Sequence, residues 1–264
     1  MPATVTSMLE FRLAAPSDVI LSVAVAAGTP VRHESLSVIG NGVQQAVHEV
    51  VDRHGSRMHR FSAPAGVFRV DYAAAVDGHR PQQPTLELDH LEYLRPSRYC
   101  ESDELYGFAA TTFGHLVGDA LVDAVGSWVF DNFSYVPGST TGTDSASTTM
   151  ATRRGVCRDY AHTVVALLRA RDVPARVAAV YAPGVSPMDF HAVAEAWVGG
   201  RWLLVDATRL APRPSFVRIA TGRDSADIAF LTNYFGRLTL DRVIVSAVAD
   251  VLPVDDHRSP YVLG

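Results

Sequence analysis

The stretch Phe190–Thr208 constrains this chain more than any other. Two apolar-rich runs, Phe190 to Val198 and Arg201 to Thr208, are separated only by Gly199-Gly200. A two-residue Gly-Gly connection predicts a type I′ or II′ hairpin, because such turns need a positive φ that glycine adopts without steric cost. The turn then sets the register. Val198 faces Arg201, Trp197 faces Trp202, Glu195 faces Leu204 and Val193 faces Asp206. His191 and Asp206 project from the same face as diagonal neighbours. Such pairs lie about 7–8 Å apart at the backbone, within reach of an imidazole–carboxylate hydrogen bond. The Trp197/Trp202 pair on that face would hold the register.

A second segment supplies a nucleophile. Gly155-Val156-Cys157-Arg158-Asp159-Tyr160 opens a helix expected to run to about Arg171, where Asp172-Val173-Pro174 stops it. Val156, Tyr160, Val164, Leu167 and Leu168 make a broad apolar stripe, so the helix is expected to be buried. Cys157 falls in its first turn. The unpaired N–H groups and positive dipole end there favour a thiolate, and Arg154 and Arg158 add positive charge nearby. A helix-start cysteine alone is weak evidence, since free cysteine is also a common core residue. Brought against a His–Asp pair, it would complete Cys–His–Asp acyl-transfer machinery, the carboxylate selecting the imidazole tautomer.

The rest of the chain divides in two. Residues 1–90 read as strands and turns: Met8 to Leu13, Val19 to Val25, Ser35 to Ile39 before Gly40-Asn41-Gly42, and Gly66 to Ala75. Val43 to Val51 fits either a helix or a strand. These runs predict a mainly β unit, a small sandwich or barrel. Arg80-Pro81-Gln82-Gln83-Pro84 reads as a linker or long loop. Beyond it the period becomes helical, with Ser102 as an N-cap and a stripe at Leu121, Val125, Trp128 and Val129. The expected architecture is α+β: a β-sandwich-like domain at 1–90 and a catalytic core at 91–264.

Several ordered motifs resemble the transglutaminase-like superfamily of cysteine enzymes, in particular the bacterial transglutaminase-like cysteine peptidases with an N-terminal β domain. They are Arg153 to His162 (RRGVCRDYAH), Val173-Pro174-Ala175-Arg176, the strand carrying His191, and Val205-Asp206-Ala207-Thr208. Tyr93 to Leu105 and Gly222 to Ala229 are similar to the same group, so the resemblance covers most of residues 90–248. It implies Cys157 as nucleophile, His191 as general base and acid, and Asp206 as orienting carboxylate. The implied core is an antiparallel sheet packed on helices. Val193 departs from the pattern, since many relatives carry tryptophan two residues after the histidine, and the acyl pocket is expected to differ in shape. For the oxyanion, the Cys157 backbone N–H is the natural first donor and Tyr135 a candidate second. Asp159 and His162 match the motif but do not stack over Cys157 on a helix, and are expected to be structural. Cys100 is expected to be a bystander.

These readings point to cysteine-dependent acyl transfer on amide bonds of a protein or peptide substrate, by hydrolysis, deamidation or transamidation. The alternative is a binding or scaffold protein that keeps the fold without turnover. No cofactor and no metal are expected: CxxC and HExxH spacings and an EF-hand-like loop are all missing, and His48, His54 and His59 form no recognisable ligand pattern. A net charge of −5 argues against nucleic acid as a partner. The longest apolar stretch, Val19 to Ala27, is too short to span a bilayer. Two cysteines and an N-terminal segment from Met1 to Arg12 without a basic leader point to the cytoplasm. Oligomeric state is left open. All 23 basic residues are arginine; codon bias explains this, although an enzyme acylating lysine amines would also gain from having none.

Overall fold

The computed structural model describes residues 2–81 and 84–264. Gln82 and Gln83 of the expected linker, and Met1 of the N-terminal segment, lie outside the described residues.

The first part of the chain supplies β1 (Pro2–Leu13), β2 (Ser17–Leu21), β3 (Val31–Gly40), β4 (Val43–Gln44), β5 (His48–Val51), β6 (Arg57–Ala63) and β7 (Gly66–Asp77). Period-2 patterning decides which side of each strand is covered. Val5, Leu9 and Phe11 of β1 are buried together with Phe68, Val70 and Tyr72 of β7, and the tilted ring of Phe61 of β6 meets Phe68 from the facing sheet at 6.1 Å. The ambiguous stretch Val43–Val51 holds two short strands, β4 and β5, joined by residues 45–47, and no helix. Asn41 (φ 49°) and Gly42 (φ 78°) take the left-handed conformation that turns β3 into β4.

After this come α1 (Glu87–Glu92), α2 (Ser102–Phe113), α3 (Gly118–Asn132), β8 (Ser134–Tyr135), α4 (Ala146–Thr152), β9 (Arg154–Gly155) and α5 (Cys157–Arg169). The chain continues through β10 (Ala175–Tyr181), β11 (Phe190–Val198), β12 (Arg201–Val205), β13 (Val217–Gly222), α6 (Ser225–Ile228), β14 (Leu231–Tyr234) and β15 (Leu238–Ala249). Strands β12-β11-β10-β13 form an antiparallel sheet, and α5 packs on β11 and β10. The α+β class is as expected. Among the described residues, no helix is long and apolar enough to cross a membrane.

Three local expectations change. Ser102 is the first residue of α2 rather than its cap; Glu101 holds the cap position without a side-chain hydrogen bond. Helix α5 starts at Cys157, Gly155 being drawn into β9, and ends at Arg169 with Ala170 as its cap. Arg80, read as part of a linker, is buried.

The last two strands also return to the N-terminal sheets. These are β15-β1-β7-β3-β4 and β14-β2-β6-β5, with β15 lying along the whole of β1 from Ala3↔Ala249 to Leu13↔Leu238. Residues 231–249, read as part of a 91–264 unit, therefore complete the sandwich. Alternation identifies a strand but not its partner, so position along the chain was a poor guide here. Tyr181 joins the two halves: from the end of β10 its hydroxyl donates to Val23 O at 2.7 Å, and its ring stacks on Tyr72.

Candidate active site

The hairpin forms with the register read from its turn. Gly199 (φ 58°) and Gly200 (φ 78°) are both left-handed, as a type I′ turn requires, and Trp197↔Trp202 and Glu195↔Leu204 are paired. The ladder ends at Ala194↔Val205, and the chain then curls at Asp206. Asp206 Oδ2 lies 3.0 Å from His191 Nε2, both side chains being buried. Its other oxygen, Oδ1, accepts from the Thr208 backbone N–H at 2.9 Å and the Thr208 hydroxyl at 2.7 Å. The carboxylate is thus fixed from both sides. Phe216 closes an edge-on contact with the imidazole at 5.6 Å.

Cys157, partly exposed, begins α5, and its Sγ approaches Phe190 O at 4.0 Å. The thiol is also close enough to His191 to help raise its basicity. Since Nε2 is held by Asp206, Nδ1 is the nitrogen left for sulfur. Burial alone would make the imidazole less basic. Asp206, by charge and hydrogen bond, and then Cys157 outweigh burial and raise His191 to about 10. Asp206 is buried too, yet the imidazolium and the Thr208 donors hold its carboxyl below the usual range.

Tyr135 arrives by a route the sequence did not signal. Strands β8 and β9 form a two-residue parallel ladder, Ser134↔Arg154 and Tyr135↔Gly155, closed by Val136 N donating to Gly155 O at 2.9 Å. This brings the Tyr135 hydroxyl close to Cys157. Burial first, then the charges of Cys157 and Asp189, push its phenol up, so it remains a protonated donor. Asp189 was not singled out from sequence. It stands close to both Tyr135 and His191, and Oδ1 accepts the Phe190 N–H at 2.7 Å.

The remaining motif residues are structural. Asp159 is fully buried; Oδ2 accepts from Val156 N at 2.8 Å and Thr140 Oγ1 at 2.6 Å, clamping the helix start to the Ser/Thr-rich loop. Arg158, expected to add charge at the thiol, is instead committed to Asp159 Oδ1 at 3.0 Å and Thr141 O at 2.8 Å. His162 is buried, stacks on Tyr99, accepts from Ser225 N at 3.1 Å and is driven down to about 4 by desolvation. Burial pushes the Cys100 thiol up to about 12. Val193 packs with Leu204 and Phe216 in a small cluster apart from the main core that Cys157 touches. Among the described residues, no group of three or more His, Cys, Asp or Glu side chains is placed to hold a metal ion.

Residues 112–207 match the model of the transglutaminase-like superfamily, a span containing Cys157, His191 and Asp206. The chain is 34% identical to a putative cysteine protease from Cytophaga hutchinsonii whose crystal structure superposes with a TM-score of 0.86, over 96% of this chain and 92% of that one. The chain belongs to the transglutaminase-like superfamily. An uncharacterized protein of Mycobacterium leprae is 30% identical over 134 residues, 47% of this chain and 48% of that protein. The chain thus spans about half the length of the curated relative it matches. The periplasmic domain of TgpA from Pseudomonas aeruginosa is also similar, at 19% identity and a TM-score of 0.43, over 76% of this chain and 88% of that one. Within this transglutaminase-like chain the family-matched span carries the helix, the hairpin and the Tyr135 ladder together.

Proposed function

We propose that this protein is a cysteine-dependent enzyme that transfers acyl groups from amide bonds of a protein or peptide substrate. The observation that carries the reading is the buried His191–Asp206 pair, with the helix-start thiol of Cys157 beside the imidazole. Cys157 passes its proton to His191 and attacks the amide carbonyl. The oxyanion that develops accepts hydrogen bonds from the Cys157 backbone N–H and the Tyr135 hydroxyl. Collapse breaks the C–N bond, and His191 gives its proton to the departing amine, leaving a thioester on Cys157. Water, deprotonated by His191, then attacks the thioester and releases the acid; an amine acceptor in the same place would give a new amide. Asp206 keeps the imidazole oriented and stabilises its charged form throughout.

The test is alkylation by iodoacetamide, read by peptide mass spectrometry with Cys100 as the internal reference. The expected result is labelling of Cys157 many times faster than of Cys100. That advantage should vanish in His191→Ala. Labelling of Cys157 no faster than of Cys100 would overturn the enzyme and leave a protein that keeps the fold to bind.

A further inference from the structure

A cavity of about 350 Å³ lies at the opposite end of the β11–β12 hairpin from His191. Neither Cys157, His191 nor Asp206 lines it. Its inner wall carries three guanidinium groups, those of Arg80, Arg176 and Arg218, all buried, and its side is formed by Trp197 and Trp202.

The charges there are unevenly shared. Glu195, fully buried, accepts from Arg176 Nε at 2.8 Å and from Arg218 Nη1 at 2.9 Å, so one carboxylate serves two cations. Arg80 donates to the His54 carbonyl at 2.9 Å, and among the described residues it makes no ion pair. Asp89, also on the wall, is met by Arg53 at 3.5 Å and His54 at 3.6 Å. Arg53 and Arg201, further out, pair with Glu92 and Asp119. Arg218 also donates to Gly264 O at 3.4 Å, and both Gly264 and the buried Asp89 line the cavity, so of the three buried guanidiniums Arg80 alone has no carboxylate partner among the described residues. Burial, and then the proximity of Arg218 and Arg176, bring Arg80 down to about 10. Uncompensated buried charge is costly, and an anion in the cavity would offset that cost while accepting the forked donors.

The wall also has a shape preference. The Arg176 guanidinium carbon lies 3.9 Å from the Trp202 ring centre, and the Trp197 and Trp202 ring centres are 5.4 Å apart. Such a surface favours a planar apolar group attached to the anion.

We propose that this cavity binds a small phosphate ester, its phosphate seated against Arg80 and Arg176 and its organic part against Trp197 and Trp202. The third tryptophan, Trp128, lies on α3 and does not line the cavity. Intrinsic fluorescence therefore reports the site directly. Titration of the full chain with inorganic phosphate and with phenyl phosphate, at constant ionic strength in chloride, should give a saturable change in emission, with phenyl phosphate binding more tightly. Arg80→Gln should weaken both at least tenfold while leaving the rate of Cys157 alkylation unchanged. Arg201→Gln, which removes an outer and already paired charge, should stay within about twofold of the wild type. Trp197→Phe keeps the test open if Arg80→Gln does not fold: calorimetry should still detect phosphate, with a smaller emission change. No saturable response to either probe in the wild type, or an undiminished response in folded Arg80→Gln, would overturn the proposal and leave the cavity to the chain's own groups.

Discussion

Tyr135 and Gly155 are register partners in a two-residue parallel ladder, which places the phenol of one strand beside the thiol that follows the other. The ring leans on Tyr160 at 6.0 Å and is partly exposed, so its hydroxyl can be removed without opening the core. Tyr135→Phe should therefore unfold at the same urea concentration as the wild type but acylate slowly. With p-nitrophenyl acetate as probe, read as p-nitrophenol release, the expected loss is about 10²- to 10³-fold in kcat with little change in KM. An unchanged acylation rate would leave Cys157 N–H without this second donor.

The pH dependence of stability follows from the buried pair. His191 is raised above its unfolded value of about 6.5, to about 10. Its contribution is thus complete below pH 6.5 and is lost as pH rises through about 10. Asp206 is lowered, so its contribution is present above the unfolded value of about 3.9 and is lost as pH falls through the lower folded value. Urea midpoints measured from pH 6 to pH 10 should fall steadily in the wild type. Asp206→Asn should flatten that slope and lower kcat by up to about 10⁴-fold. Equal slopes in the two proteins would mean that His191 is not held charged by Asp206.

How much of this was legible follows from what kind of contact each feature rests on. Residues 190–208 could be read almost residue by residue, because a two-residue turn and period-2 alternation leave one register, and Trp197↔Trp202 obeys it. Cys157 at a helix start was legible from the stop at Pro174 and the apolar stripe. The Tyr135–Gly155 ladder is too short to make a pattern, and β15 finds β1 across most of the chain. The same limit hid Asp189, whose place beside Tyr135 depends on how that ladder docks. Glu195 was read only as a register position facing Leu204, yet it is the buried partner of Arg176 and Arg218, which lie on neighbouring strands of the sheet.

Thr208 holds Asp206 with both its backbone N–H and its hydroxyl. Thr208→Val keeps the branched shape and the backbone bond but removes the hydroxyl donor. A buried acceptor that loses one donor costs about 1–3 kcal/mol. Thermal unfolding should show that loss, and p-nitrophenyl acetate turnover should fall about tenfold as the carboxylate gains freedom. Restored turnover in Thr208→Ser, with turnover in Thr208→Val still low, would separate the hydroxyl from the methyl group. A Thr208→Val protein as active as the wild type would show that the backbone N–H suffices.

Gly155 is where the helix start is most crowded. Its backbone is not left-handed, so alanine is conformationally acceptable there, but an added Cβ would lie 2.6 Å from Asp159 Cβ and 2.8 Å from Asp159 Oδ2. Asp159 cannot retreat, since it is fully buried and holds Val156 N, Thr140 and Arg158 at once. Gly155→Ala should therefore cost about 1–3 kcal/mol by overpacking and change the alkylation rate of Cys157 by displacing its turn. Gly142 lies in the same Ser/Thr-rich loop with open space around its Cα. Gly142→Ala should shift stability by no more than about 0.5 kcal/mol and leave Cys157 labelling unchanged. Matching urea midpoints for the two variants would show that the Asp159 clamp yields, and that the position of the thiol is set by α5 packing on its sheet instead.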